Sequence, residues 1–254
     1  MSKEVCIGMN MPDLDTPALL IDLEAMEYNI ALMASYFKGL AQQGRKCRLR
    51  PNVKTHKATM LAHKQLAAGH TTGITCAKLS EAETMATAGI HDILIANEIV
   101  GPYKIAHLMN LARHANVKIA VDQVENIAAL SEAACAKGVK LGVLVEVNVG
   151  LNRCGVSPGE AALQLAQLVD RMPGLVFLGL QGYEGHCVNI PSRQERQARV
   201  HAALQPLLDT RRLIEANGLE VKLVSSGSTS TYNITAEMDG IEELRGVVVL
   251  AATN

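Results

Sequence analysis

Brief Val/Ile/Leu runs alternate along the chain with longer Ala-rich stretches of helical period, the pattern of a parallel α/β fold. Strands are expected at Pro17 to Leu23, Cys47 to Lys54, Thr72 to Lys78, Asp92 to Asn97, Val117 to Asp122, Leu141 to Asn148, Leu175 to Tyr183, Val221 to Ser226 and Ile241 to Leu250. Between them the period predicts helices over Leu23 to Phe37, Lys57 to Ala68, Ser80 to Ala88, Pro102 to His114, Val124 to Lys137, Pro158 to Arg171 and Ser192 to Asn217. Gly69, Gly89, Gly138 and Gly218 fall just past helix ends, where a left-handed cap favours glycine. The first strand precedes the first helix, and setting it aside leaves eight, the closing number of a (β/α)8 TIM barrel. No linker or repeat divides the chain, so residues 1–254 are expected to form one domain.

Almost every strand is apolar at its start and polar at its end. The ends read Lys54, Lys78, Asn97 with Glu98, Asp122, Glu146 with Asn148, Gln181 with Tyr183, and Ser225 with Ser226. In a barrel these ends converge on one face, where such folds keep their active sites; strands that merely end near water would also turn polar.

Composition narrows the function. With 24 Lys plus Arg against 25 Asp plus Glu, a net charge of −1 leaves no sequence-wide basic footprint for nucleic acid or an anionic membrane. No apolar run is long enough to span a bilayer or serve as a signal peptide, so a soluble, cytoplasmic chain is expected. Six cysteines, none closer than 19 residues to the next, exclude a C-x-x-C redox or zinc site and read as reduced, mostly buried thiols. The lack of Trp, with two Phe and five Tyr, argues against a base-stacking surface.

Two segments carry candidate chemistry. Alternation along Arg48-Leu49-Arg50-Pro51-Asn52-Val53-Lys54 puts Arg48, Arg50, Asn52 and Lys54 on one face. A lysine beside Arg50, followed by His56 and Lys57, would sit in a cationic, partly desolvated setting that favours the neutral amine and its condensation with a carbonyl. An exposed basic edge strand fits the same pattern. The second segment, Ser225-Ser226-Gly227-Ser228-Thr229-Ser230-Thr231, follows the seventh barrel strand and offers hydroxyls and open backbone N–H groups, as phosphate-binding loops do. It also reads as an ordinary polar loop. Gly150-Leu151-Asn152-Arg153-Cys154-Gly155 lacks the Lys-Ser/Thr of a P-loop and suits a turn that aims Arg153 at an anionic or aromatic ligand.

Several stretches in order resemble one family: Leu14-Asp15-Thr16-Pro17 onward, Arg50-Pro51-Asn52-Val53-Lys54-Thr55-His56-Lys57, Val145 to Gly150 with Arg153-Cys154-Gly155, Gly182-Tyr183-Glu184-Gly185-His186, and the Ser/Thr loop. They look like the D-threonine aldolase and D-serine dehydratase family, pyridoxal-phosphate lyases whose barrel is of the alanine-racemase N-terminal type. The resemblance implies that Lys54 binds the cofactor pyridoxal 5'-phosphate, that Gly227, Ser228, Thr229 and Ser230 hold its phosphate, and that Arg153, Gln181 and Tyr183 surround its ring. It implies a small D-β-hydroxy amino acid as substrate, cleaved by retro-aldol reaction or by β-elimination of water, and a homodimer as candidate assembly. Either reaction needs a base, for which His56 and His186 are the candidates.

Three departures accompany the resemblance. Asn52 stands where the family carries histidine, and Ser226, Ser228 and Ser230 replace three glycines of the aldolase-type loop, with strain expected wherever serine meets a positive φ. The family also continues into a β-rich domain that supplies a divalent metal, Mn or Zn. Here the sequence stops at Asn254 with no His-x-Cys pair, so no metal ligands are assigned. A non-catalytic cofactor-binding barrel and an inactive fragment stay open as alternatives.

Overall fold

In a computed structural model, which describes residues 7–18 and 20–246, eight short strands alternate with helices. The strands are β1 (Arg48–Leu49), β2 (Ile74–Cys76), β3 (Asp92–Ile95), β4 (Asn116–Val121), β5 (Leu141–Glu146), β6 (Leu175–Gln181), β7 (Leu223–Ser226) and β8 (Glu243–Leu244). The helices are α1 (Leu23–Gln42), α2 (Thr59–Ala67), α3 (Leu79–Thr87), α4 (Pro102–Ala112), α5 (Val124–Lys137), α6 (Glu160–Arg171), α7 (Arg193–Ala216) and the single turn α8 (Tyr232–Thr235). All pairings are parallel, and the sheet runs β1-β8-β7-β6-β5-β4-β3-β2, a curled, TIM-barrel-like order. Two isolated parallel bridges, Leu49 to Thr71 and Asn52 to Thr75, join the flanks of β1 and β2.

The periodicity explains how the helices cover the sheet. Asp22 caps α1 by accepting the Ala25 N–H at 2.9 Å, and Met26, Ile30, Met33, Phe37 and Leu40 then recur every three or four residues on its buried face. Inside the sheet's curve a separate apolar cluster forms from Leu94, Leu144 and Leu223, on β3, β5 and β7, with Leu178 against it. Leu178 is the extra residue of a bulge, because the β5–β6 register passes from Val143 with Phe177 to Leu144 with Gly179.

Below that layer lies a charged one. Arg50, 1% exposed, donates through Nε to Glu243 at 2.8 Å and through Nη2 to the other Glu243 oxygen, while its Nη1 reaches Asp92 at 2.5 Å. Lys118 on β4 donates to both Asp92 oxygens at 2.9 and 3.0 Å, and Thr72 donates to Glu243 at 3.1 Å. Burial pushes the Asp92 carboxyl up, but Arg50 and Lys118 outweigh it and leave it below its ordinary value. Asp92 and Glu243 open their strands, so the Arg50 head points to the N-terminal ends of the sheet.

Three expectations are corrected. Pro17 to Leu23 forms no strand among its described residues: Leu20 and Ile21 stand exposed and pair with nothing, and α1 begins at Leu23. Cys47 to Lys54 is a strand only at Arg48–Leu49, and Lys54 lies in the turn beyond it. The last strand is Glu243–Leu244; residues 247–250 of the expected Ile241 to Leu250 run lie outside the described residues. Among the described cysteines, all are free thiols; Cys47, Cys76 and Cys187 are buried and Cys135 is exposed. Among the described residues, no helix is long and apolar enough to cross a membrane.

Candidate active site

A cavity of about 420 Å³ opens where the C-terminal ends of the strands meet. Its lining is Asn52 and Lys54 after β1, Ala77 after β2, Ala96 and Asn97 after β3, Arg153 in the β5–α6 loop, Tyr183 and Val188 after β6, Gly227 to Ser230 after β7, and Arg245 after β8. One lysine, two arginines, a phenol and a loop of small hydroxylic residues thus converge from five loops. A larger cavity of about 650 Å³ between α4 and α5 is lined mainly by Val100, Ile105, Met109 and alanines and holds no comparable set.

Lys54 is presented by a turn that Asn52 organises, since the Asn52 Oδ1 accepts the Lys54 N–H at 3.0 Å and the Asn52 N–H donates to the Gly246 carbonyl at 2.9 Å. The cationic surroundings expected for Lys54 are compensated. Arg50 is spent on Glu243 and Asp92, and Lys57 pairs with Glu81 at 3.0 Å. His56 lies half-buried outside the lining: its Nδ1 accepts the Ala58 N–H at 3.0 Å, and its Nε2 is buried without a hydrogen-bond partner. Burial moves the imidazole pKa down, opposed by its polar neighbours Gln65 and Ala58.

Arg153 is held by a loop folded on Asn148, whose Oδ1 accepts the N–H groups of Gly150 at 3.0 Å and Asn152 at 3.1 Å. The loop returns at Gly155, with φ +94°, where a Cβ would lie 2.8 Å from the Asn148 nitrogen and 2.9 Å from the Val147 carbonyl carbon. The Arg153 guanidinium then stacks 5.3 Å from the centroid of the Tyr183 ring, within cation–π range.

The Gly182-Tyr183-Glu184-Gly185-His186 run divides its work by direction. Tyr183 faces the cavity, and Gly185 leaves room for its ring, since a Cβ there would stand 2.9 Å from Cζ. His186 is exposed, with its ring against Gly150, where a Cβ would lie 3.2 Å from Cε1. Glu184 turns away from solvent entirely and is 0% exposed. Gln181 is buried outside the lining and donates through Nε2 to Glu146, leaving its own Oε1 without a partner. Burial raises the Glu146 carboxyl to about 7 against the attraction of Arg245 and the Gln181 hydrogen bond.

In the loop after β7 the positive φ falls on Gly227, at +87°, and Ser226, Ser228 and Ser230 escape the strain a serine would suffer there. The Gly227 N–H donates to Glu184 at 3.2 Å and the Ser228 N–H to the Thr231 hydroxyl at 3.1 Å, so these two amides are already committed. The sequence reading placed Lys54, Arg153, Tyr183, Gly227, Ser228, Thr229 and Ser230 at the site, and the cavity brings these together; His56, Gln181 and His186 lie outside its lining. It missed Arg245, which is buried, donates to the Gly182 carbonyl at 2.9 Å and has an Nε without a partner. Its signal was an arginine interrupting the apolar run after Leu244. Among the described residues, no three His, Cys, Asp or Glu side chains gather so as to hold a metal ion.

The chain is similar to known proteins along most of its length. The chain is 37% identical over 239 residues to the 3-hydroxy-D-aspartate aldolase of Paracoccus denitrificans (strain Pd 1222), covering 94% of this chain and 60% of that protein. It is 36% identical over 255 residues to the D-threonine aldolase of an Arthrobacter species, covering 96% of this chain and 66% of that one. The crystal structure of D-threonine aldolase from Filomicrobium marinum superposes with a TM-score of 0.89 at 40% identity, over 93% of this chain and 62% of that chain. The chain therefore spans 60% to 66% of the length of these two curated relatives. The family model for the alanine racemase N-terminal domain matches residues 21–245, nearly the whole of the described chain, and this protein belongs to that family.

Proposed function

We propose that the chain binds pyridoxal 5'-phosphate in the cavity at the strand C-termini and acts as a lyase on D-β-hydroxy amino acids, by retro-aldol cleavage or by β-elimination of water. The carrying observation is the convergence of Lys54, the Gly227–Ser230 loop and the Arg153–Tyr183 pair on one cavity. The donor set fits the group: a primary amine for its aldehyde, hydroxyls for its phosphate, and a guanidinium and phenol at the walls for a polar aromatic ring. When bound, the cofactor supplies a ring that accepts the electron pair left as a bond to the substrate α-carbon breaks.

The chain's residues do the rest. Lys54 anchors the aldehyde, Ser228, Thr229 and Ser230 take the phosphate, and Arg153 with Tyr183 holds the ring's orientation. That orientation selects which substrate bond breaks. Of the two histidines, His186 is the better base for the β-hydroxyl proton, being exposed beside the Arg153 loop; His56 has one nitrogen committed and the other buried. We read the sheet as a closed (β/α)8 barrel, supported by the hydrogen bonds Val53 N–H to Thr75 and Thr75 N–H to Pro51 across the β1 and β2 flanks. Incubation with pyridoxal phosphate and D-threonine decides the reaction: glycine with acetaldehyde marks the aldolase, 2-oxobutanoate the dehydratase, and neither product overturns the lyase reading.

A further inference from the structure

Directly beneath the loop after β7 lies a buried carboxylate that the cavity never touches. Thr231 and Thr235 donate their hydroxyls to Glu184 Oε1 at 2.6 and 2.8 Å; the Ser226 hydroxyl and the Gly227 N–H donate to Oε2, both at 3.2 Å. All four donors come from one segment that runs from the end of β7 through the loop into α8. Among the described residues, no cation lies within ion-pair distance of Glu184. A carboxylate desolvated this completely is stable only because its lone pairs are filled by donors.

The carboxylate also fixes where protons point. An ionised carboxylate only accepts, so the one hydroxyl proton of Thr231 goes to Glu184. The Thr231 oxygen is thereby left to accept, and it takes the Ser228 N–H at 3.1 Å. With the Thr231 proton on Glu184, the Ser228 hydroxyl, 3.0 Å from the same oxygen, is the donor in that bond, and its proton can turn from Thr231 to an anion that enters the cavity. We propose that Glu184 is a positioning residue for phosphate recognition: it shapes the 226–235 segment and orders its hydroxyl protons so that Ser228 donates to the cofactor phosphate. This rests on the cofactor-binding reading above and adds the group that prepares the loop.

The test separates the phosphate from the rest of the cofactor. Glutamine at 184 keeps the shape but changes the proton order whichever way its amide is turned: an NH2 facing Ser226 and Gly227 opposes the Gly227 N–H, and one facing Thr231 and Thr235 donates to their hydroxyls and frees the Thr231 proton for Ser228. Affinities for pyridoxal phosphate and for pyridoxal, which lacks the phosphate, are measured by visible absorbance on the wild-type chain and on Glu184→Gln. The expected result is a loss of about tenfold or more for pyridoxal phosphate, the scale of a hydrogen bond to a charged group, with pyridoxal changed by less than about twofold. Equal weakening of both ligands, or no change in either, overturns the proposal, because a merely structural role lowers thermal stability without discriminating between them. If Glu184→Gln does not fold, Thr235→Val, which removes one donor and no charge, decides on the same criterion with a smaller expected split. A wild-type chain that binds pyridoxal phosphate no better than pyridoxal overturns the phosphate site itself and this proposal with it; a wild type that discriminates beside a variant that does so equally well overturns the Glu184 role alone.

Discussion

Replacing Glu146 by glutamine tests the electrostatics beneath the cavity. The carboxyl is 3% exposed, and burial raises its pKa from 4.5 to about 7. Below pH 4.5 the folded and unfolded chains both carry this proton and the group leaves stability unchanged. Between pH 4.5 and 7 the folded state retains a proton that the unfolded state has lost, so stability falls as pH rises; above 7 the loss is complete and levels off. Each tenfold change in proton affinity is worth about 1.4 kcal/mol, so the displacement amounts to about 3 kcal/mol at pH 8. Glutamine still offers an oxygen to the Gln181 Nε2 donor but does not titrate. Urea denaturation of both proteins at pH 5, 6, 7 and 8 should therefore show the variant gaining on the wild type by about 2.5 kcal/mol across the series, part of the loss being already present at pH 5. Any fixed cost of the substitution cancels in that trend. A difference that stays flat with pH would refute the argument that Glu146 is buried at a desolvation cost.

Other perturbations read the remaining parts. Lys54→Ala should abolish the visible absorbance of bound cofactor, whereas Lys57→Ala, which removes only a half-exposed pair with Glu81, should keep it; the reverse pattern would move the anchor. Arg50→Ala strands Glu243 in the interior and should destabilise the chain by about 3–5 kcal/mol in urea unfolding, and a cost under 1 kcal/mol would show that the charged layer is dispensable. Gly185→Ala places a Cβ against the Tyr183 ring and should weaken cofactor affinity through displacement of the Arg153–Tyr183 stack, with little change in far-ultraviolet circular dichroism.

What the sequence disclosed was governed by local pattern. The order of strands and helices follows from apolar period, and the loop after the seventh strand from its run of small hydroxylic residues, so both were legible before any contact was known. Arg50 was not. Alternation put it on the face of Lys54, but its partners Asp92 and Glu243 lie 42 and 193 residues further on, and they draw its head to the opposite end of the sheet. The same holds for Glu184, one residue from the cavity-facing Tyr183, whose four donors lie 42 to 51 residues ahead. Pro17 to Leu23 misled for a related reason: an apolar run reads as a strand, but strand formation requires a neighbour with a free edge, which local pattern does not reveal.

The central claim, that a cofactor aldehyde is captured by the lysine in the turn after the first strand, has a direct measurement. The chain is incubated with pyridoxal phosphate, reduced with borohydride, digested and mapped by mass spectrometry. The account predicts a pyridoxyl group on Lys54. Modification confined to Lys57 or another lysine, or none at cofactor concentrations that saturate the visible absorbance, would contradict it.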